Sequence, residues 1–490
     1  MSNTPSGGLQ APDFRMLSCG GFGDGNNVYA HSMEWFKGCL YVGTTRGSMA
    51  LIKARNPPPP FKPWPVWYPE DIFEVDRRAQ IWRYDPGTAQ WSLVFQSPWA
   101  VGYYGKLTPR YIGFRGMTVM QATGDPEPAL YVSAWAPIAA ELPNILRSED
   151  GEHFEAITRP PWDETVRSFR TMQPFQGRLH CSPTGSNSRQ PSGENSAYRD
   201  SMGGQTVIYA ADDLRAGNWK PANTEGFGDQ GNFTVFEMVE FNDHLYAGTV
   251  NVNGFQLWKT DGAGGPPYQW TKVLERGAGR GAHNECAGSL CVYKGALYIG
   301  SGVLNGGYHV ELKIGPAAAE LIRVWPDDSW DLLVGEQRDT EQGLKYPLSG
   351  YGAGFDSIFN GYIWRMVEHQ GWLYAGTLNW ANIIPYLPAK IWPEDVQQLV
   401  HRWGGDAMVH EIGGCNLWRS QDGVAWEPVL RDGFGNPYNW GIRTFASTPV
   451  GLFVGTANPF GPSIAVRRQG GWTYVPNPRG GCEVHLGVAA

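Results

Sequence analysis

A hairpin motif recurs seven times along this chain, and a repeat at that spacing constrains the fold more than any single residue does, because each unit can bury its apolar face only against copies of itself. The motif is an apolar strand (a), a glycine-containing turn, and a second strand (b) of Leu-Tyr type that ends in small residues and a Ser or Thr. Its copies are MEWFKGCLYVGT (33–44), MTVMQATGDPEPALYVS (117–133), MQPFQGRLHCS (172–182), MVEFNDHLYAGT (238–249), LCVYKGALYIGS (290–301), MVEHQGWLYAGT (366–377) and FASTPVGLFVGT (445–456).

After each hairpin the sequence reads as a third strand (c), a turn, and a fourth strand (d) opened by an aromatic residue: Trp91, Phe154, Trp219, Trp270, Trp330, Trp426 and Trp472. One large ring per unit at a constant position is the signature of packing between repeats. The chain therefore reads as all-β, a single seven-bladed β-propeller with four antiparallel strands per blade. The blades are placed at 28–96, 114–157, 169–220, 233–274, 287–334, 361–430 and 443–475, with 1–27 leading in and 476–490 as a tail. A composition of 64 Gly, 37 Pro, 22 Trp and 22 Tyr agrees with many short strands joined by tight turns. The seventh copy, with IAVRRQGGWTYV as its outer strands, already holds four strands. Ring closure should then need no long strand exchange, although 15–19 or 483–486 could add an edge strand.

The pattern resembles kelch and Asp-box propellers, in which a Leu-Tyr-Val strand precedes a strand, an acidic turn and a Trp-led strand. SEDGEHF (148–154) and SQDGVAW (420–426) carry the acidic turn one residue short of the Asp-box spacing, and Gly-Thr or Gly-Ser stands where kelch has paired glycines. The resemblance covers nearly the whole chain. It implies fold rather than function, since such propellers include oxidases, sialidases, lectins and scaffolds.

In an up-and-down blade the a–b and c–d turns lie on one face, and the b–c and d–a connections on the other. The large insertions all fall in the second set: 46–79, 184–205, 303–319 and 379–414, with long crossings at 97–113 and 335–360. Ordering such loops costs entropy that the blades do not need, so that face is the expected functional one. NPPPPFKPWPVWYP (56–69) reads as a stiff lid or a polyproline ligand, and PEDVQQLVHRW (393–403) as a short amphipathic helix.

Two positions before each hairpin motif stands a ring of equivalent residues: His31, Arg115, Arg170, Phe236, Gly288, Trp364 and Arg443. Blade order would set Arg443, His31, Arg115 and Arg170 side by side opposite an apolar arc, a mouth suited to a ligand with an anionic head and an aromatic or aliphatic body. The arginines could instead pair with Asp24, Asp163, Glu164 or Asp356 and join neighbouring blades. Catalytic candidates are His31, Arg115, Arg170, Arg443, His283 and Glu285; substrate-binding candidates are Tyr29, Phe236, Glu237, Trp364, Asp356, Asn379 and Asn458. The segments GFGDGNN (21–27), GFGDQGN (226–232) and GFGNPYN (433–439) read first as glycine-and-Asn turns.

Ten histidines without HxH, HExxH or a Cys/His pattern imply no metal, and no cofactor motif is present. A net charge of −8 without a basic block argues against nucleic acid or an anionic membrane as partner. Seven scattered cysteines read as reduced thiols, and the start of the chain lacks a secretory pattern, so the cytoplasm is the expected location. The primary functional expectation is a non-redox enzyme, a lyase, cyclase or transferase, acting on an anionic or phenolic small molecule. The alternatives are a protein-interaction scaffold, and a glycan-binding or sialidase-like propeller whose arginines hold a carboxylate.

Overall fold

The computed structural model describes residues 7–53, 60–102, 105–137, 139–162, 166–186, 206–304, 306–307 and 313–489. The chain is all-β with few helices. It divides into two compact units, one of Met1–Ala30, Pro58–Tyr68 and Gly279–Ala490, the other of His31–Pro57 and Pro69–Ala278.

In the unit that holds most of the first half, Asn27–Phe36 from His31 onward, Cys39–Arg46, Gln80–Asp85 and Gln90–Gln96 form one antiparallel sheet. Gly113–Met120, Ala129–Trp135, Ile145–Ser148 and Glu155–Ile157 form the next. Val166–Phe175, Arg178–Ser186, Tyr209–Ala211 and Lys220–Pro221 follow, then Asn232–Phe241, His244–Asn251, Leu257–Thr260 and Thr271–Leu274. In the other unit the strands are Cys286–Tyr293, Ala296–Gly302, Leu321–Val324 and Trp330–Val334, then Asn360–His369, Trp372–Asn379, Leu417–Ser420 and Glu427–Leu430. Each sheet has the up-and-down a-b-c-d path of a propeller blade.

The last sheet corrects the sequence reading. Gly441–Thr448 and Gly451–Ala457 supply a and b, but strand c is Val484–Gly487 and strand d is Phe14–Ser18 from the other end of the chain. Ser463–Arg468 and Gly471–Pro476, expected as c and d, pair only with each other. Glu483, immediately before this strand c, completes a hydrogen-bond node around Thr456.

That node recurs. A Ser or Thr ending strand b donates to an Asn that opens strand a, and accepts from the backbone N–H that opens strand c. Thr249 Oγ1 donates to Asn232 Oδ1 at 2.9 Å and accepts from Gln256 N at 2.9 Å. Thr377 does the same between Asn360 and Asn416 (3.1 and 2.9 Å), and Thr456 between Asn439 and Glu483 (3.2 and 2.8 Å). Ser301 joins Asn284 and Glu320 in the same way. The hydroxyl satisfies polar groups that would otherwise be buried without partners, which explains Ser or Thr after the glycine of strand b. The glycine itself lets the next sheet approach: a Cβ on Gly43 would stand 2.7 Å from Phe114 Cβ, and one on Gly376 2.5 Å from Ile442 Cβ.

The Asn also closes the Gly-Phe turn ahead of strand a. Asn27, Asn232, Asn360 and Asn439 each donate through Nδ2 to the carbonyl of the glycine six residues earlier, at 2.8–2.9 Å. In these turns Phe22, Phe227, Phe355 and Phe434 take positive φ (56–61°), a conformation unfavourable for a bulky residue. Stacking offsets that strain. Phe227 lies parallel to Trp258 at 4.9 Å, Phe355 to Trp418 at 4.2 Å and Phe434 to His485 at 4.1 Å. The aromatic of strand d then meets the same ring edge-on: Trp270 at 5.1 Å, Trp426 at 5.7 Å and, in the last sheet, Phe14 at 5.7 Å. Phe14 holds the place that the sequence reading gave to Trp472, which instead packs on Tyr386 at 5.6 Å.

The expected helix is present as Glu394–Trp403, opened by Pro393 with Glu394 and Asp395 in its first turn, and Gly405–Ile412 follows it. Within the Pro-rich segment, residues 56–59 lie outside the described residues. The rest is pinned along one side: Lys62 N donates to Tyr386 O at 2.7 Å, Ala465 N to Pro65 O at 2.9 Å, and Tyr474 Oη to Trp64 O at 3.0 Å.

Candidate functional site

Six of the seven aligned positions coincide with an irregularity in the a–b pairing. The register shifts between Phe114 and Gly116, Phe169 and Met172, Val235 and Glu237, Ala287 and Ser289, Ile363 and Arg365, and Ile442 and Thr444. Arg115, Arg170, Phe236, Gly288, Trp364 and Arg443 stand at these β-bulges. A bulge places two residues opposite one and turns a side chain away from its regular face. Blade alignment in the sequence therefore located a real structural position, and the bulge is the local reason the position is special.

In the unit holding Arg115 and Arg170, Arg115 lies over the Trp135 ring at 4.7 Å and donates to Ser168 Oγ at 2.9 Å. Arg170 stacks on Phe236 at 3.8 Å, so bulge residues of adjacent sheets touch. His31 Nδ1 is 2.6 Å from Thr45 Oγ1, and the ring is buried. Glu237, next to Phe236, remains partly exposed.

In the other unit Arg443 is fully buried and stacks on Trp364 at 5.1 Å. Around Trp364 stand Tyr29, edge-on at 6.1 Å, and Tyr362 at 5.8 Å; Trp440 is 6.4 Å from Tyr29. Tyr29, Tyr362 and Trp440 are only half-buried, whereas Trp364 is 7% exposed. The result is an accessible aromatic rim over a buried cation–aromatic pair. Sequence reasoning found Tyr29 and Trp364 but missed Trp440 and Tyr362. Trp440 is three residues ahead of Arg443 and Tyr362 two ahead of Trp364, so the alignment that found the bulges also contains them.

Of the other candidates, Asn379 and Asn458 border this cluster, their backbone N–H groups bonding to Trp440 O and to Val28 O at 2.7 Å. His283 is exposed, while Glu285 is fully buried and accepts from Leu304 N at 2.9 Å, so the His and Glu of HNEC enter different surroundings. Asp356 is exposed in a Gly-Phe turn and accepts from Gly352 N at 2.8 Å. Asn379 accepts from Ala381 N and donates to Ile412 O, and Asn458 accepts from Phe460 N and donates to Arg479 O. Both amides anchor the connection after strand b. Asp163 and Glu164, expected as arginine partners, lie outside the described residues.

One titratable group on an inner strand was not singled out from sequence. Glu34, one residue after Met33 in strand a, accepts from Trp35 N at 3.0 Å, and burial of its carboxyl pushes its pKa up to about 7. Among the described residues no group of three or more His, Cys, Asp or Glu is placed to hold a metal ion, and no helix is long and apolar enough to cross a membrane.

No protein-family model and no curated protein matches the chain. Among solved structures, the extracellular domain of a putative hybrid two-component system from B. thetaiotaomicron is 13% identical over 92% of this chain and 39% of its own, with a TM-score of 0.45. A puromycin-hydrolysing peptidase of Mycobacterium tuberculosis is 11% identical over 93% of this chain and 62% of its own, with a TM-score of 0.39. An α-L-arabinofuranosidase from Fusarium graminearum is 10% identical over 72% of this chain and 88% of its own, with a TM-score of 0.36. The chain thus spans less than two thirds of the length of the first two, and likenesses this distant carry no argument about activity.

Proposed function

We propose that the repeats close into one seven-bladed propeller and that the protein recognises a carbohydrate bearing a carboxylate. The observation that carries this reading is the set of half-buried rings Tyr29, Tyr362 and Trp440 over the Arg443–Trp364 pair. Half-buried rings that keep part of a face accessible suit the C–H faces of a sugar. The buried guanidinium lies too deep to touch a ligand, yet its field lowers the cost of an anion at the rim. The lyase, cyclase or transferase chemistry first expected from an arginine ring draws little support from Arg115, Arg170 and Arg443 stacked on protein aromatics, since a guanidinium held on a ring offers less of itself to a developing charge.

The test is a titration followed by intrinsic Trp fluorescence with sialyllactose and trigalacturonate, set against lactose and maltotriose. The acidic sugars should bind more tightly than the neutral ones, and Trp440→Ala should remove binding without changing the fold. Arg443→Gln, which removes the charge, should narrow the acidic-over-neutral preference. Equal affinity for both classes would remove the carboxylate from the reading, and no affinity for either would remove the sugar.

A further inference from the structure

The helical insertion holds a cleft that none of the aligned positions lines. Its volume is about 510 Å³, within the usual range for small-molecule pockets. Ile384, Leu387 and Val400 contribute apolar walls, and the charged lining residues are Lys62, Arg467 and Asp406. Lys62 comes from the Pro-rich segment and Arg467 from the Ser463–Arg468 strand, so three separate stretches of chain converge.

The convergence is built rather than incidental. The Lys62 backbone N–H donates to Tyr386 O at 2.7 Å, Tyr386 Oη donates to Ala465 O at 3.0 Å, and Ala465 N donates to Pro65 O at 2.9 Å. Three bonds thus connect the Pro-rich strap, the insertion and the Ser463–Arg468 strand. Arg467 is steadied over the Trp472 ring at 5.0 Å. This also gives the displaced segment 463–476 a role: excluded from the last sheet, it brings a cation to the cleft.

We propose that this cleft binds a small amphiphile with one negative charge, a carboxylate on an aliphatic body. Apolar walls select the body. Two cations against one carboxylate leave a net charge of +1, which favours a monoanion over a cation and gives a polyanion little extra. Asp406 disfavours a second negative group and accepts from a hydroxyl or amide on the ligand. This site is independent of the sugar reading, because it uses different residues and a ligand without a ring.

Decanoate is the probe, titrated below its micelle concentration by calorimetry, with decylamine, decanol, hexanoate and inorganic phosphate as comparisons. Decanoate should bind best, hexanoate more weakly, and phosphate and decylamine not measurably. Removing both cations, Lys62→Ala with Arg467→Ala, should weaken decanoate about tenfold at low salt, as expected for two partly exposed ion pairs. Ala407→Trp, at an exposed position of the lining, should block the cleft while the protein melts as before. Decylamine binding as well as decanoate, or decanoate affinity unchanged in both variants, would overturn the assignment. Trp440→Ala should leave decanoate binding intact, so failure here and failure of the sugar reading are told apart.

Discussion

Gly423→Ala tests whether the short acidic turns are packing devices. In SQDGVAW the Asp422 side chain accepts from Val424 N and Ala425 N at 2.8 and 2.7 Å, and Ser420 Oγ accepts from Gly423 N at 2.8 Å. SEDGEHF repeats this pattern bond for bond around Asp150 and Ser148. In both turns the glycine has positive φ (80° and 78°) and sits against the tyrosine of strand b in the preceding sheet, Tyr298 for Gly423 and Tyr41 for Gly151. A Cβ on Gly423 would collide with the Tyr298 hydroxyl and lie 2.8 Å from its Cζ. The conformational penalty for alanine is about 1–2 kcal/mol and overpacking adds about 1–3 kcal/mol, so the substitution should cost roughly 2–5 kcal/mol. Gly371→Ala supplies the control: its φ is 81° with nothing within 4 Å of a Cβ, so only the conformational share applies. Tyr298→Phe removes the colliding oxygen at a cost of about 1 kcal/mol for its hydrogen bonding. In Gly423→Ala/Tyr298→Phe the steric share should fall without vanishing, because Cζ still lies 2.8 Å from the new Cβ, giving a favourable coupling of about 1–2 kcal/mol in a denaturation cycle. Strict additivity of the two single variants, or a Gly423→Ala cost equal to that of Gly371→Ala, would refute the collision.

Trp426→Ala should destabilise by about 3–5 kcal/mol, because it empties the edge-on contact to Phe355 in a buried cluster; thermal unfolding checks it. Deleting residues 1–18 should lower stability sharply and make the protein prone to association, since it strips strand d from Val484–Gly487 and exposes an edge; light scattering and melting read both effects. Glu34 has a folded pKa of about 7 against 4.5 unfolded, so the stability it contributes is full below pH 4.5 and is lost as pH rises toward 7. Glu34→Gln should therefore flatten the decline between those values by about 1–3 kcal/mol, seen in denaturant midpoints across that pH range.

Sequence alone determined the repeating a-b-c-d sheet, because strand alternation, glycine turns and the aromatic of strand d are local and periodic. It also picked out the bulge positions, since counting two residues back from the hairpin motif is a local operation that survives translation from one repeat to the next. The Gly-Phe-to-Asn segments were legible as turns for the same reason. Tertiary structure alone decided how the last sheet is completed. IAVRRQGGWTYV carries the pattern of strands c and d, and nothing local distinguishes it from Val484–Gly487 with Phe14–Ser18. What distinguishes them is Glu483, whose backbone N–H reaches Thr456 and whose carboxylate accepts from Asn436 and Asn439 at 2.7 and 2.6 Å, a node assembled from three distant stretches. Tertiary structure also decided what the arginines meet. Their equivalence could be read in one dimension, but stacking of Arg170 on Phe236 and of Arg443 on Trp364 depends on the separation between sheets, which Gly376 sets in the second case by its close approach to Ile442.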